Sequence, residues 1–240
     1  MVLATALGAA LFCAAFLLGD RLRPLQVVVR DPRSLASFGA GLSTAYVFVH
    51  LMPELHSARE AFASTGSEAL RYEGMAIYLV ALAGFLAYYG LDHARKRLRV
   101  EGEAGSGRAF RLQMGGWAAY VVVAAYLLEH SLESTTAATA AYVVAITFHL
   151  VAADHSFRRE HGSAYADRGR FVLAGAAIGG WLLGLLVALP LGVIAACVAF
   201  VSGAVIVNSA IMELPTEKDG RFAAFAAGSI LYALILLPLG

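Results

Sequence analysis

Charge is scarce in this chain: only 15% of its 240 residues are Asp, Glu, Lys or Arg, against 60% hydrophobic. That balance lies far outside the usual soluble composition. Cysteine is nearly absent. Cys13 and Cys197 both sit inside apolar runs, which excludes a disulfide framework or a Cys-rich metal site and reads each as a small buried hydrophobe. Proline is rare as well, six residues against twenty-four glycines, a ratio that suits closely packed membrane helices. A net charge of +1 offers no grip to nucleic acid. There is no His-Glu-x-x-His helix and no Gly-x-Ser-x-Gly elbow, so the familiar hydrolase signatures are missing.

What is present is a series of apolar runs close to the length of a membrane span. Eight segments are expected, at about 1–19, 34–53, 75–91, 115–134, 138–154, 171–189, 191–212 and 222–239. The fold class is therefore an all-α polytopic membrane protein forming a single transmembrane domain with eight transmembrane helices. The first segment lacks a basic flank before it, and Arg21 and Arg23 follow it, which reads as a retained span rather than a signal peptide. Sixteen of the eighteen basic residues fall in alternate loops, around 20–33, 92–114, 158–170 and 218–221, leaving Arg59 and Arg71 on the other side. By the positive-inside rule the rich side is cytoplasmic and both termini are outside, in a multi-pass protein of the cytoplasmic membrane. The 92–114 loop reads as a polar, flexible linker, and 55–74 as room for a short surface helix. In the sixth segment, Gly175 with Gly179 and Gly180 with Gly184 form a small-xxx-small pattern suited to tight helix contact.

The second and seventh segments resemble each other. GAGLSTAYVFVHLMPEL and SGAVIVNSAIMELPTE each place a glycine (Gly41, Gly203) the same distance before a proline (Pro53, Pro215), with His50 or Glu213 just ahead of it and an acid, Glu54 or Glu217, just after. The two segments run in opposite directions, which marks an inverted repeat of the kind found in transporters. Segments one to three would match six to eight, with four and five unpaired at the centre.

That central pair carries Glu129, His130 and Glu133 on the fourth segment and His149, Asp154 and His155 on the fifth. An ionisable group inside a span costs roughly 2.5–3.5 kcal/mol on insertion scales, so such groups face a protein interior or a wet path. At helical spacing Glu129, His130 and Glu133 lie within about 100° of one another. His149 falls at a comparable depth. Imidazole with carboxylate is a ligand set for zinc, iron or manganese, and a path needs no thiolate, which would hold such ions too tightly. Hydrogen bonding between helices is the structural alternative for the same residues. Asp154 and His155 point about 140° and 240° away from His149 and lie nearer the cytoplasmic end. His50 and Glu54 are i, i+4 partners that could collect a cation at the outer mouth. Ser202, Ser209 and Glu213 form a polar stripe toward the cytoplasmic end.

With these residues in view, the chain resembles the ZIP (Zrt/Irt-like) family of divalent-metal transporters, most specifically in the second and seventh segments. The resemblance implies eight spans in a three-plus-two-plus-three inverted repeat, with the longest cytoplasmic loop between spans three and four. It places Glu129, His130 and Glu133 over the family's fourth-span His-Asn-x-x-Asp motif. His149 falls on the opening His of the fifth-span motif, with Ala153 where the second ligand stands. One metal site built from Glu129, His130, Glu133 and His149 is then expected, rather than a two-metal centre. The implied function is passage of a divalent cation, zinc foremost, toward the cytoplasm, entering by His50 and Glu54 and leaving by Asp154, His155 and Glu213. Two other readings are a non-transporting ZIP-like sensor or assembly protein, and an intramembrane metal-dependent hydrolase using His149, Asp154, His155 and a fourth-span carboxylate. The expected partners are membrane lipid and the cation, and a homodimer is compatible with the sequence.

Overall fold

The computed structural model describes residues 2–19, 32–63, 73–100, 107–130, 136–208 and 221–236, and among these there are helices and no strands. They are α1 (Val2–Leu17), α2 (Pro32–Tyr46), α3 (Met52–Ala63), α4 (Glu73–Val100), α5 (Gly107–Tyr126), α6 (Thr136–His161), α7 (Arg170–Leu186), α8 (Leu191–Asn208) and α9 (Phe222–Leu236). Single π-helical turns join α2 to α3 at Val47–Leu51 and lead into α7 at Tyr165–Gly169. Three helical stretches, Met75–Leu98, Thr139–His161 and Tyr165–Leu186, are long and apolar enough to cross a bilayer, and Val2–Leu17, Leu191–Val207 and Phe222–Ile235 are shorter apolar helices. Large apolar side chains line the outside, among them Leu79, Leu82 and Leu86 on α4 and Phe171, Ile178 and Leu182 on α7. A surface of that kind is suited to lipid rather than water.

Several segments are more helical than their sequences suggest. The expected 92–114 linker is helix up to Val100 and again from Gly107. Its first part is held by Asp92, whose carboxylate meets Arg95 and, at 2.7 Å, Lys96 Nζ; such i, i+3 and i, i+4 pairs stabilise a helix that has left the apolar region. Likewise α6 runs on to His161, where Gly162 (φ 51°) turns the chain, the left-handed position that glycine fills at a helix end. The π turn at Val47–Leu51 precedes Pro53, which has no N–H to give and crowds the carbonyl one turn back. A wider turn, closed by the Met52 N–H on Val47 O, accommodates that proline without breaking the helix.

The helices pack in two groups. In one, α2 lies along α9, α4 along α8, and α3 against both α4 and α8; in the other, α1 packs on α6 and α7, and α5 on α7. Contacts of α5 with α4 and α8, and of α2 with α6, join the groups. The two closest pairs, α2–α9 and α4–α8, are built alike. Gly41 lies against the Phe225 carbonyl and the Ser229 amide, while Gly228 lies against the Phe38 carbonyl. In α4–α8, Gly203 lies against the Ala81 carbonyl and the Phe85 amide, while Gly84 lies against the Phe200 carbonyl. Gly203 follows Phe200 as Gly41 follows Phe38, and Ala81, Gly84 and Phe85 are spaced as Phe225, Gly228 and Ser229. Both contacts are backbone on backbone, which only glycine permits.

The match extends to two tyrosines bridging the groups. Tyr88 of α4 donates to Gly116 O of α5 at 2.7 Å, and Tyr232 of α9 to Ala141 O of α6 at 3.4 Å; Tyr88 stands to Gly84 as Tyr232 stands to Gly228. An interhelical bond in a membrane contributes about 0.6–1.7 kcal/mol, so Tyr88→Phe should lower stability within that range. Unfolding of the detergent-solubilised protein checks it, and a loss no greater than that of exposed Tyr89→Phe would remove the bridge.

A corresponding correction concerns the sixth segment. A Cβ added at Gly175 or Gly179 would meet nothing within 4 Å among the described residues, whereas Gly180 lies on the Val122 carbonyl and Gly184 on that of Tyr126. Of the two small-xxx-small pairs, one packs and one does not.

Candidate functional site

The fourth segment does not carry its polar residues on a helix. The backbone of α5 ends at Tyr126, and the chain tightens through Leu128 N–H to Ala125 O (3.3 Å) and Glu129 N–H to Tyr126 O (3.2 Å). Glu129 and His130 therefore sit in a turn, and the shared helical face expected for them does not exist; Glu133 lies outside the described residues. The turn is set by the end of α7. Tyr126 OH donates to Val187 O at 3.0 Å and accepts the Leu189 amide at 3.1 Å. His130 Nε2 lies 2.8 Å from Gly184 O, one of the last carbonyls of α7, which lacks an intrahelical partner. A carbonyl only accepts, so Nε2 carries the proton, leaving Nδ1 as the lone-pair nitrogen of the neutral ring. The ring stacks on Tyr126 at 4.7 Å.

Glu129 turns into the group formed by α1, α5, α6 and α7. Its Oε1 accepts the Trp181 indole N–H at 2.9 Å and hydrogen-bonds Thr5 Oγ1, which is buried. Three elements thus converge on one carboxylate: α1, α7 and the turn after α5. Nothing in the local sequence marks Thr5 or Trp181 as its partners, because they are distant in the chain and ordinary in their own segments.

His149 is elsewhere. It is 3% exposed, stacked on Trp117 with centroids 5.6 Å apart and edge-on to Tyr120 at 5.7 Å, and Trp117 packs in turn on Phe157. Tyr120 precedes the end of α5 by six residues, about 9 Å of helix, and Glu129 lies beyond that end. The structure thus sets His149 deeper than Glu129 rather than beside it. Ala153, one turn further on, is also buried. Among the described residues no group of three or more His, Cys, Asp or Glu stands close enough to hold a metal ion.

The residues expected at the two mouths are distributed as follows. His50 and Glu54 do meet, at 4.0 Å, and His50 stacks on Tyr46 at 5.2 Å. Asp154 is not open to a path. It is 2% exposed, accepts Arg158 Nε and Tyr165 OH at 2.7 Å each, and lies against Gly19. Arg158 also donates to Phe16 O at 2.9 Å, so the cluster ties α1 to α6. The cause is local: Arg158 is the i, i+4 partner of Asp154 and neutralises it. His155, next to it, is exposed. Ser202 donates back to Val198 O at 2.8 Å, a local bond; Ser209 and Glu213 lie outside the described residues, as does the side chain of Asn208.

No family model, curated protein or solved structure matches this chain. The reading of the site therefore rests on its own geometry. The residues expected to share one site fall into two places: a carboxylate and an imidazole in the turn after α5, and an imidazole among aromatic rings between α5 and α6. The hydrolase reading would need His149, Asp154 and His155 together, and these face an aromatic box, an ion pair and the exterior.

Proposed function

We propose that this chain is a ZIP-like carrier with eight spans in an inverted repeat, moving a divalent cation, zinc foremost, toward the cytoplasm. The observation that carries the reading is the residue-by-residue likeness of the Gly41–Phe225 and Gly203–Ala81 contacts. Two packings so alike, made by segments of opposite direction, are what an inverted repeat produces, and such repeats belong to carriers. The arginine-rich end of the helices is then cytoplasmic, with both termini outside.

The placement of the polar groups refines the path. One four-ligand site is replaced by two stations: Glu129 with His130 at one, and His149 at the other. The cation, as cargo, passes from the first to the second. Since α1 and α7 pack on the central pair, relative motion runs along the boundary between the two helix groups rather than between repeats and a central pair. In proteoliposomes, Glu129→Ala and His149→Ala should each abolish zinc uptake while the protein stays monodisperse; undiminished uptake in both would sink the two stations. The aromatic packing of His149 and the apolar Ala153 beside it favour a second reading, a metal-sensing or assembly relative that does not transport. Absence of uptake by the parent protein, with zinc binding retained in calorimetry, selects that reading.

A further inference from the structure

An ion pair joins the two helix groups near their arginine-rich end. Arg95 of α4 is 7% exposed, and its guanidinium meets Glu160 of α6 and Asp92 of its own helix. The second oxygen of Glu160 accepts Gln113 Nε2 of α5 at 3.1 Å, and Gln113 Oε1 is bonded by His161 Nε2. Gln113 is 3% exposed, and Phe110 closes over the His161 ring at 5.1 Å. The network thus fastens α4, from one group, to α5 and α6, from the other. A buried ion pair contributes little net stability, and its attested use is to hold register and state.

The tyrosine bridges show what a symmetric boundary looks like, since Tyr88 and Tyr232 serve corresponding positions. Arg95 and Glu160 add charge to such a boundary, a guanidinium and a carboxylate held largely out of water between α4 and α6.

We propose that Arg95–Glu160 is a latch that keeps the arginine-rich mouth closed and biases the protein toward the state closed at that end. The inference rests on the alternating-access reading above. Opening that mouth separates α4 from α5 and α6, and the ion pair parts with it. Gln113 keeps Glu160 oriented toward Arg95, and Asp92 holds the guanidinium from the other side.

The test uses the full chain with Cys13→Ala and Cys197→Ala, and Ala153→Cys as a reporter, 4% exposed in the closed state. A membrane-impermeant maleimide is applied to the arginine-rich face of oriented vesicles. Glu160→Gln should raise the labelling rate about tenfold or more, as expected for a shift of one decade in the population of the open state. The reversed pair Arg95→Glu with Glu160→Arg, combined with Asp92→Asn so that two carboxylates do not meet, should bring it back, and Ala124→Cys, near the other end of α5, should stay unlabelled throughout. An unchanged rate in Glu160→Gln overturns the latch. So does a rise that the reversed pair does not undo, or one shared by Ala124→Cys, because either means general loosening. Labelling needs no cargo, so zinc uptake by the parent in the same vesicles judges the transport reading separately.

Discussion

Gly203→Ala and Gly41→Ala should each destabilise the protein by about 1–3 kcal/mol, toward the upper end, because the added methyl meets main chain rather than a side chain that can rotate away. At Gly203 the new carbon runs into the Ala81 carbonyl and the Phe85 amide; at Gly41 it runs into the Phe225 carbonyl and the Ser229 amide. Relief requires one helix to move off another along its whole length. The two environments are alike, so the two losses should be alike, and the double variant should fail to stay monodisperse in detergent. Gly175→Ala and Gly179→Ala supply the contrast. Each has open space around it, and alanine in a helix is favoured over glycine by roughly 0.5–1 kcal/mol. Thermal unfolding of the four single variants decides the matter. If Gly175→Ala collapses while Gly203→Ala leaves the midpoint where it was, the two matched interfaces are not what holds the helix pairs.

How much of this could be read in the residues varies with the range of the cause. Apolar runs locate α1, α4, α6, α7, α8 and α9 well, because burial in lipid and helix formation both act locally. The likeness of Gly41 and Gly203 is legible too, since a spacing to proline survives in the chain. Their partners Phe225 and Ala81 are not, because a glycine contact consumes backbone atoms that every residue has. Periodicity also carried the fourth segment's helix past its true end. What stops α5 at Tyr126 is the exposed carbonyl end of α7, sixty residues on, which takes up Tyr126 and His130. The same holds for Arg95. In the chain it belongs to a basic cluster read for topology; in the fold it is buried against an acid from α6.

Asp154→Ala should be among the most damaging single changes in the chain, and through folding rather than flux. Removing one partner of a buried ion pair costs about 3–5 kcal/mol, since the other charge is left without compensation. Here that charge is Arg158, whose side chain is 11% exposed, and the Tyr165 hydroxyl loses its acceptor as well. The link between α1 and α6 through Phe16 O depends on Arg158 keeping its place. Asp154→Ala combined with Arg158→Met should recover much of the loss, because removing both charges spares the desolvation that an arginine deprived of this carboxylate suffers. Replacing the exposed His155 by alanine should stay within about 0.5 kcal/mol. A carboxylate lining an exit path would behave the other way: its loss would stop uptake and leave the unfolding midpoint unchanged. Unfolding and zinc uptake measured on the same preparations separate these outcomes. A fully stable Asp154→Ala that no longer transports would return Asp154 to the path and release Arg158 from its structural role.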